Sequence, residues 1–135
     1  MDAEAPFLRA GSDAPQSLLS ATGRGYFLLA VLGGKDEPDS HAVAEMVTAA
    51  ADLTAWGRPV VVLGGDASML ATLHQALPEA IYGSDLSDGI RAMLAPEAPL
   101  PLIALCDSFG RVVYLSKGYN TSLAADLRRC IDQCR

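Results

Sequence analysis

Two apolar runs and the amphipathic segment between them organise the middle of the chain. Residues 26–32 have the sequence YFLLAVL and residues 60–63 have the sequence VVVL, and a glycine pair ends each run. Such runs are typical of strands buried on both faces of a sheet. Between them, apolar residues recur at three- and four-residue steps from 43 to 56. This spacing predicts an amphipathic helix, which the Gly-Arg-Pro sequence 57–59 ends.

Helix caps extend this pattern into a strand-helix-strand unit. Asp39 or Ser40 is the predicted N-cap of the first helix, and Asp66 caps a second, shorter helix. Two buried strands joined by a helix favour a parallel pair with the helix packed on one face. A short edge strand at 80–82 and a helix over 86–94 are predicted to follow.

The C-terminal third changes from a parallel to an antiparallel pattern. Residues 101–105 and 112–115 form apolar strands, and the connection between them is too short for anything but a hairpin. A final helix is predicted to begin at Thr121 or Ser122, with an apolar stripe that includes two cysteines. An all-parallel, flavodoxin-like nucleotide binder conflicts with this hairpin.

The first 25 residues differ from the rest of the chain. They mix Ala, Ser, Pro, Gly and Asp without sustained periodicity, which predicts an N-terminal arm or linker over residues 1–25. Residues 26–135 are then predicted to form a single folded domain. The chain has 135 residues, of which 50% are apolar, and this is enough to bury an ordinary core.

Charge and hydropathy exclude several classes of partner. The formal net charge of −6 opposes binding to nucleic acid or to an anionic membrane surface, because both need a concentrated basic face. The apolar runs fall far short of the roughly 20 residues that span a bilayer, so no membrane insertion is expected.

The N-terminus shows no signal-peptide pattern and leaves the compartment open. A periplasmic location is expected if the sequence is a domain excised from an exported protein.

The C-terminal segments carry a resemblance to a known fold. Residues 100–105 (LPLIAL), residues 107–115 (DSFGRVVYL), the pair Gly118-Tyr119 and a closing helix resemble the part of thioredoxin-like proteins that begins at the cis-proline. The resemblance implies an α/β fold: a central mixed sheet, built from a βαβ unit followed by a β-hairpin and a C-terminal helix, flanked by helices. It also implies a cis peptide between Leu100 and Pro101.

A narrower resemblance concerns the context of the domain. Residues 56–63 (WGRPVVVL), 37–42 (EPDSHA) and 111–119 (RVVYLSKGY) resemble the thioredoxin-like module at the carboxy end of some bacterial transglutaminase-like multidomain proteins. This resemblance covers residues 26–134. It implies an accessory or interaction module without a cofactor, whose partners are proteins or neighbouring domains of a parent chain, and it places the catalytic machinery outside this sequence.

The sequence departs from working thioredoxins at the position of their chemistry. Their Cys-x-x-Cys lies between the first buried strand and the following helix, where the helix N-terminus lowers the pKa of the nucleophilic thiol. Here residues 33–40 have the sequence GGKDEPDS, without cysteine. Disulfide exchange from this position is therefore not expected. The same turn and the proline loop instead form the expected binding surface, which comprises Lys35, Asp36, Glu37, Pro38, Asp39, Ser40, His41, Leu100 and Pro101.

The three cysteines leave a rival interpretation open. Cys130 and Cys134 share one face of the last helix, and Cys106 ends the first hairpin strand. Packing in the core is the favoured interpretation of all three. The alternative is an atypical thiol-disulfide or peroxide-handling oxidoreductase that uses Cys106 or the Cys130/Cys134 pair. Two histidines and no second cysteine pair argue against a metal site.

Two further motifs are better explained by local structure than by catalysis. Asp39, Ser40 and His41 combine a nucleophile with a base, but neighbours in sequence point in different directions, and helix capping accounts for them. Gly33-Gly34-Lys35 follows a strand as a phosphate loop would, yet the remaining spacing of that motif is missing. Both segments are expected to be strand-to-helix turns.

Overall fold

Seven strands and six helices make up the computed structural model, which describes residues 2, 4–33 and 37–134. The strands are β1 (Pro6–Arg9), β2 (Gln16–Ser17), β3 (Phe27–Leu32), β4 (Val60–Gly64), β5 (Ile81–Asp85), β6 (Leu102–Cys106) and β7 (Val112–Lys117). The helices are α1 (Leu18–Thr22), α2 (Glu37–Thr48), α3 (Ala50–Trp56), α4 (Ala67–Ala76), α5 (Gly89–Leu94) and α6 (Leu123–Gln133). The strands form one sheet in the order β2-β1-β5-β4-β3-β6-β7.

Strand β3 lies near the middle of the sheet and is buried along its whole length. All six of its side chains are buried, as the continuous apolar run predicted. On one face they pack against α2, α3, α4 and α6, and on the other against α1, β1 and α5. The predicted α/β architecture, a mixed sheet flanked by helices, is confirmed.

The direction of the strands separates a parallel half of the sheet from an antiparallel half. Strands β3, β4 and β5 are mutually parallel, with Leu28 opposite Val60 and Val61 opposite Ile81. Strand β6 runs antiparallel to β3, and β7 antiparallel to β6. The predicted βαβ unit and hairpin are therefore both present, and the antiparallel β6 excludes the all-parallel alternative.

One of the two predicted helix N-caps is confirmed, and the other is wrong. The Asp66 carboxylate accepts a hydrogen bond from the backbone N–H of Met69 at 2.8 Å, as expected of the N-cap of α4. The prediction that Asp39 or Ser40 caps the first helix was wrong, because α2 already begins at Glu37. Asp39 lies inside the first turn, and its carboxylate bonds to the end of β3 instead.

The predicted helix over 43–56 is divided into α2 and α3. Ala49 lies between them, with φ −90° and ψ 3°. Hydrogen bonds from Ala49 N to Glu45 O and from Leu53 N to Ala49 O keep the two helices nearly continuous. The apolar stripe therefore still covers a single face of the sheet, as its periodicity predicted.

The N-terminal segment differs most from the expectation of an arm or linker. Strand β1 pairs antiparallel with β5, and Phe7 is completely buried. Gly83 of β5 permits this pairing, since a Cβ there would collide with the carbonyl oxygen of Leu8. Strand β5 is consequently an inner strand rather than the predicted edge. Sequence patterning missed β1 because it contains only four residues, too few to show a period.

The helices are short. The longest, α2, has 12 residues, against the roughly 20 that cross a bilayer. Within the described ranges, no helix has the length and hydropathy of a membrane span.

The burial of Phe7 gives a direct test of whether residues 1–25 belong to the fold. Phe7→Ala should lower the free energy of unfolding by about 3–5 kcal/mol, because it removes a fully buried aromatic ring. Urea denaturation measures this loss. Arg9→Ala in the same strand is the control, and this exposed substitution should cost less than about 0.5 kcal/mol. Equal effects of the two substitutions would mean that the segment is a dispensable arm.

Candidate functional site

The candidate site lies at the carboxyl end of β3. Here the chain turns into α2, and the loop before β6 crosses beside it, with a cis peptide between Leu100 and Pro101. An open pocket of about 650 Å³ lies between these segments. Its lining consists of Gly33, Glu37, Pro38, Asp39, Arg91, Pro99 and Leu100.

The structure brings part of the predicted surface together in this pocket. Residues 37–39 and Leu100 contribute to its lining, whereas Ser40, His41 and Pro101 do not. Pro101 is buried, so this proline shapes the loop without offering a surface of its own. Lys35 and Asp36 lie outside the described residues. Glu37 and Ser40 are exposed, and Leu100 is half-buried.

Asp39 joins the strand end to the first turn of α2. Its side chain is only 1% exposed, and its Oδ1 accepts a hydrogen bond from the backbone N–H of Gly33 at 3.0 Å. A Cβ at Gly33 would lie 3.0 Å from Asp39 Oδ2 and 3.3 Å from Leu100 Cδ1. Glycine therefore allows the strand, the helix and the proline loop to approach this closely. This hydrogen bond and this close packing hold the first turn of α2 against the end of β3.

His41 connects α2 to the loop between β7 and α6. Its Nε2–H donates to the carbonyl oxygen of Asn120 at 3.1 Å, and its ring stacks on Tyr119 with centroids 4.4 Å apart. Glu45 Oε1 lies 3.5 Å from the same nitrogen. The Nε2–H is thus directed at a backbone oxygen and a carboxylate. This arrangement gives His41 a structural role at the border of the site.

A polar network fixes the loop that His41 contacts. The side-chain amide of Asn120 donates to Ser116 Oγ at 2.9 Å, and the Tyr114 hydroxyl donates to Asp126 Oδ2 at 2.9 Å. Burial, together with the hydrogen bond to Asp126, raises the pKa of Tyr114 to about 12. Tyr114 therefore remains a neutral hydrogen-bond donor at physiological pH and holds α6 against β7.

The cysteines lie far from this pocket. Cys106 ends β6 opposite Phe27, the first residue of β3, so a strand length of about 20 Å separates it from Gly33. Trp56, which directly precedes the turn into β4, donates its indole N–H to the carbonyl oxygen of Cys134 at 2.9 Å. Cys130 lies one helical turn before Cys134. All three cysteines are at the end of the sheet where β3 and β4 begin.

These thiols are buried, free and divided by the sheet. Cys106 faces the core beneath α1 and α5, whereas Cys130 and Cys134 pack on the opposite face with α2 and α3. Burial raises the pKa of the Cys106 thiol to about 12 and also raises the pKa of Cys130. A raised pKa lowers the fraction of thiolate, the form that attacks disulfides. The predicted packing of the cysteines in the core is confirmed.

Sequence reasoning missed two residues of the pocket, Arg91 and Pro99. Arg91 is positioned because the Asp85 carboxylate accepts hydrogen bonds from the backbone N–H groups of Ile90 and Arg91, each at 2.9 Å. Its guanidinium donates through Nη2 to the carbonyl oxygen of Ala98 at 3.1 Å, while its Nε is buried without a hydrogen-bond partner. The local sequence of α5 does not indicate that Arg91 lines this pocket, because Arg91 and α2 come together only in the folded chain.

The lining of the pocket contains both charged and apolar side chains. It combines the Glu37 carboxylate and the Arg91 guanidinium with the apolar side chains of Pro38, Pro99 and Leu100. These groups can form ion pairs, hydrogen bonds and apolar contacts with a ligand. Within residues 4–33 and 37–134, no three His, Cys, Asp or Glu side chains are arranged to hold a metal ion.

Several solved structures have an architecture similar to that of this chain. No protein-family model and no curated protein matches the chain. Among solved structures, a DsbE-like thiol:disulfide interchange protein from Chlorobium tepidum is similar over 98% of this chain and 95% of its own, with 22% identity and a TM-score of 0.68. The bacterioferritin comigratory protein of Xanthomonas campestris is similar over 98% and 92%, with 15% identity and a TM-score of 0.67.

A third structure extends the same likeness to a secreted protein. The disulfide oxidoreductase of Mycobacterium tuberculosis that is homologous to DsbE is similar over 96% of each chain, with 12% identity and a TM-score of 0.65. At sequence identities of 12–22%, this similarity shows a shared fold and does not show a shared function. Together with the mixed sheet and the hairpin, it establishes that this chain has the thioredoxin-like fold.

Proposed function

We propose that this chain is a non-catalytic thioredoxin-fold module that binds a protein segment or a neighbouring domain through the pocket at the carboxyl end of β3. The observation that carries the proposal is the composition of that pocket. The fold brings α2 and the proline loop together there, but residues 33–41 contain no cysteine. What remains at this position is a surface of mixed charge and apolar character, which suits recognition.

The arrangement of the pocket supports recognition of a partner's side chains. Apolar contacts come from Leu100, Pro38 and Pro99. The lining also carries two opposite charges, on Glu37 and Arg91. Asp39 holds the first turn of α2 against Gly33, and the Asp85 carboxylate fixes the backbone at Arg91. A preformed surface reduces the entropy that is lost on binding.

The rival function, an oxidoreductase that uses Cys106 or the Cys130/Cys134 pair, has less support. The solved structures of similar fold include a disulfide oxidoreductase and a protein with alkyl peroxide reduction activity. In this chain, however, the thiols are buried at the other end of the sheet.

The module is also proposed to belong to a larger transglutaminase-like protein, on the sequence resemblance of residues 37–42, 56–63 and 111–119 alone.

The first test separates binding from redox catalysis. The chain should not accelerate the reduction of insulin by dithiothreitol, because a buried thiol of raised pKa provides little thiolate. At pH values below 9, a pKa of about 12 in place of 9.0 reduces the thiolate of Cys106 about a thousandfold. Titration with a disulfide reagent should therefore be slow in the native protein and rapid in denaturant. An acceleration that is lost in Cys106→Ser or Cys130→Ser, so that the rate falls to that of dithiothreitol alone, would support the rival.

The second test concerns the binding face. A peptide selected from a displayed random library serves as the probe, and its dissociation constant is measured by titration calorimetry. Leu100→Ala and Glu37→Lys should each weaken binding about tenfold or more, because they remove an apolar contact and reverse a charge in the pocket.

Phe109→Ser provides the control for this experiment. Phe109 is 81% exposed in the β6–β7 connection, at the opposite end of the sheet, so its loss should leave peptide binding unchanged. Unaltered binding by both the Leu100 and the Glu37 variant would show that the proposed face is wrong.

A further inference from the structure

Arg91 brings a positive charge to the pocket at the carboxyl end of β3 without a counterion. It is half-buried, whereas every other arginine among the described residues is exposed. None of the ion pairs between described residues includes Arg91. A cation that is partly removed from water normally pairs with a carboxylate, because desolvation without such a partner costs free energy. The chain has an excess of acidic residues, yet its described part provides no carboxylate for Arg91.

The guanidinium of Arg91 also has unused hydrogen-bond donors. Of its five N–H groups, only one on Nη2 meets an acceptor in the described residues, the carbonyl oxygen of Ala98 at 3.1 Å. Nη1 has no acceptor among these residues, and Nε is buried without one. An arginine that lines a pocket with unused donors is suited to bind an anion there.

The position of Arg91 is fixed from two sides. The Asp85 carboxylate accepts hydrogen bonds from the backbone N–H groups of Ile90 and Arg91, each at 2.9 Å. The carbonyl of Ala98, which accepts from the guanidinium, belongs to a turn closed by a bond from Ala98 N to Ala95 O at 3.2 Å. The charge is therefore held in place before a ligand arrives, so less side-chain entropy is lost on binding.

The other charges of the pocket indicate which anion fits. The carboxylate of Glu37 is exposed, and the buried carboxylate of Asp39 already accepts the N–H of Gly33. These two carboxylates and the net charge of −6 repel a phosphate group or a run of acidic residues. A single carboxylate meets less repulsion, and its plane matches that of the guanidinium.

The apolar part of the lining indicates what carries this carboxylate. Pro38, Pro99 and Leu100 lie in the same lining as Arg91. A small free acid would leave most of this apolar surface in water, whereas the neighbouring side chains of a peptide would cover it. The expected ligand is therefore an acidic side chain within a protein segment.

A second pocket of the structure lacks a group of this kind. It lies at the other end of the sheet, where β4 and β5 begin, with a volume of about 410 Å³ and apolar walls that include Leu53, Val60 and Ile81. Its arginine, Arg58, is exposed. The half-buried cation without a counterion thus distinguishes the pocket at the carboxyl end of β3.

We propose that Arg91 selects a partner segment in which one aspartate or glutamate side chain enters the pocket and pairs with the guanidinium. This inference rests on the proposed function and specifies the chemistry of the partner. Because Glu37 repels another carboxylate, the residue beside the acidic one is expected to be basic or uncharged.

Peptides selected from a displayed random library on the wild-type chain test this inference. Both peptide termini are blocked, so that side chains supply the only carboxylates. The selected peptides should share one acidic residue. Replacing that residue by the corresponding amide should raise the dissociation constant about tenfold to a hundredfold, because the charged partner of Arg91 is lost. This change leaves the chain itself intact, so misfolding cannot cause the effect.

Variants of the chain show whether the acidic residue meets Arg91 directly. Arg91→Gln should weaken binding of the acidic peptide by a similar factor and should leave binding of the amide peptide nearly unchanged. Arg91→Lys keeps the charge without the planar donors and should recover part of the affinity. Arg24→Gln is the matched control, since Arg24 is exposed just before β3, at the opposite end of the sheet, and its loss should have no effect. Thermal unfolding verifies that each variant is folded.

The possible failures of this inference and of the proposed function can be told apart. Peptides that lose affinity in Leu100→Ala but are insensitive to Arg91→Gln would overturn the inference and leave the proposed function standing. Peptides that bind only with a free C-terminal carboxylate would do the same. If neither Leu100→Ala nor Glu37→Lys affects any selected peptide, the proposed function fails and this inference fails with it.

Discussion

The burial of β3 on both faces is the constraint on which the other contacts depend. Its six apolar residues have neither a wet face nor a free edge, so they require a neighbouring strand on each side and a layer of helices above and below. Helices α2, α3, α4 and α6 cover one face of the sheet, while α1 and α5 cover the other. Because β3 ends in the middle of the sheet, the turn that follows it emerges where α2, α5 and the proline loop converge.

The two ends of the sheet consequently differ in character. At the carboxyl end of β3, Asp39 and Gly33 hold the helix against the strand, and His41 joins that helix to the loop of Tyr119. At the opposite end lie the buried cysteines, an apolar pocket and the hairpin tip with Phe109. Thiols and candidate binding face are thus kept apart by the length of a strand, and the sheet also separates Cys106 from the other two cysteines.

The architecture does not depend on a cysteine in the turn after β3, since residues 33–41 contain none. The fold depends on apolar packing against β3, and no cysteine is needed for that packing at the turn. Glycine at position 33 permits the close approach of strand and helix, and Asp39 adds a hydrogen bond across it. Under the proposed function, this surface serves recognition through the charged and apolar side chains that line it.

The amino-acid sequence by itself determined the local elements: the buried strands, the amphipathic helices, the N-cap at Asp66, the hairpin, and the absence of cysteine from the turn after β3. These depend on periodicity and on residues close together in the chain. Only the tertiary structure decided the pairing of β1 with β5, the arrival of Arg91 in the pocket, the burial of Pro101 and the contact of His41 with Asn120. Each joins residues distant in sequence, and local pattern carries no information about which distant surfaces the folded chain brings together.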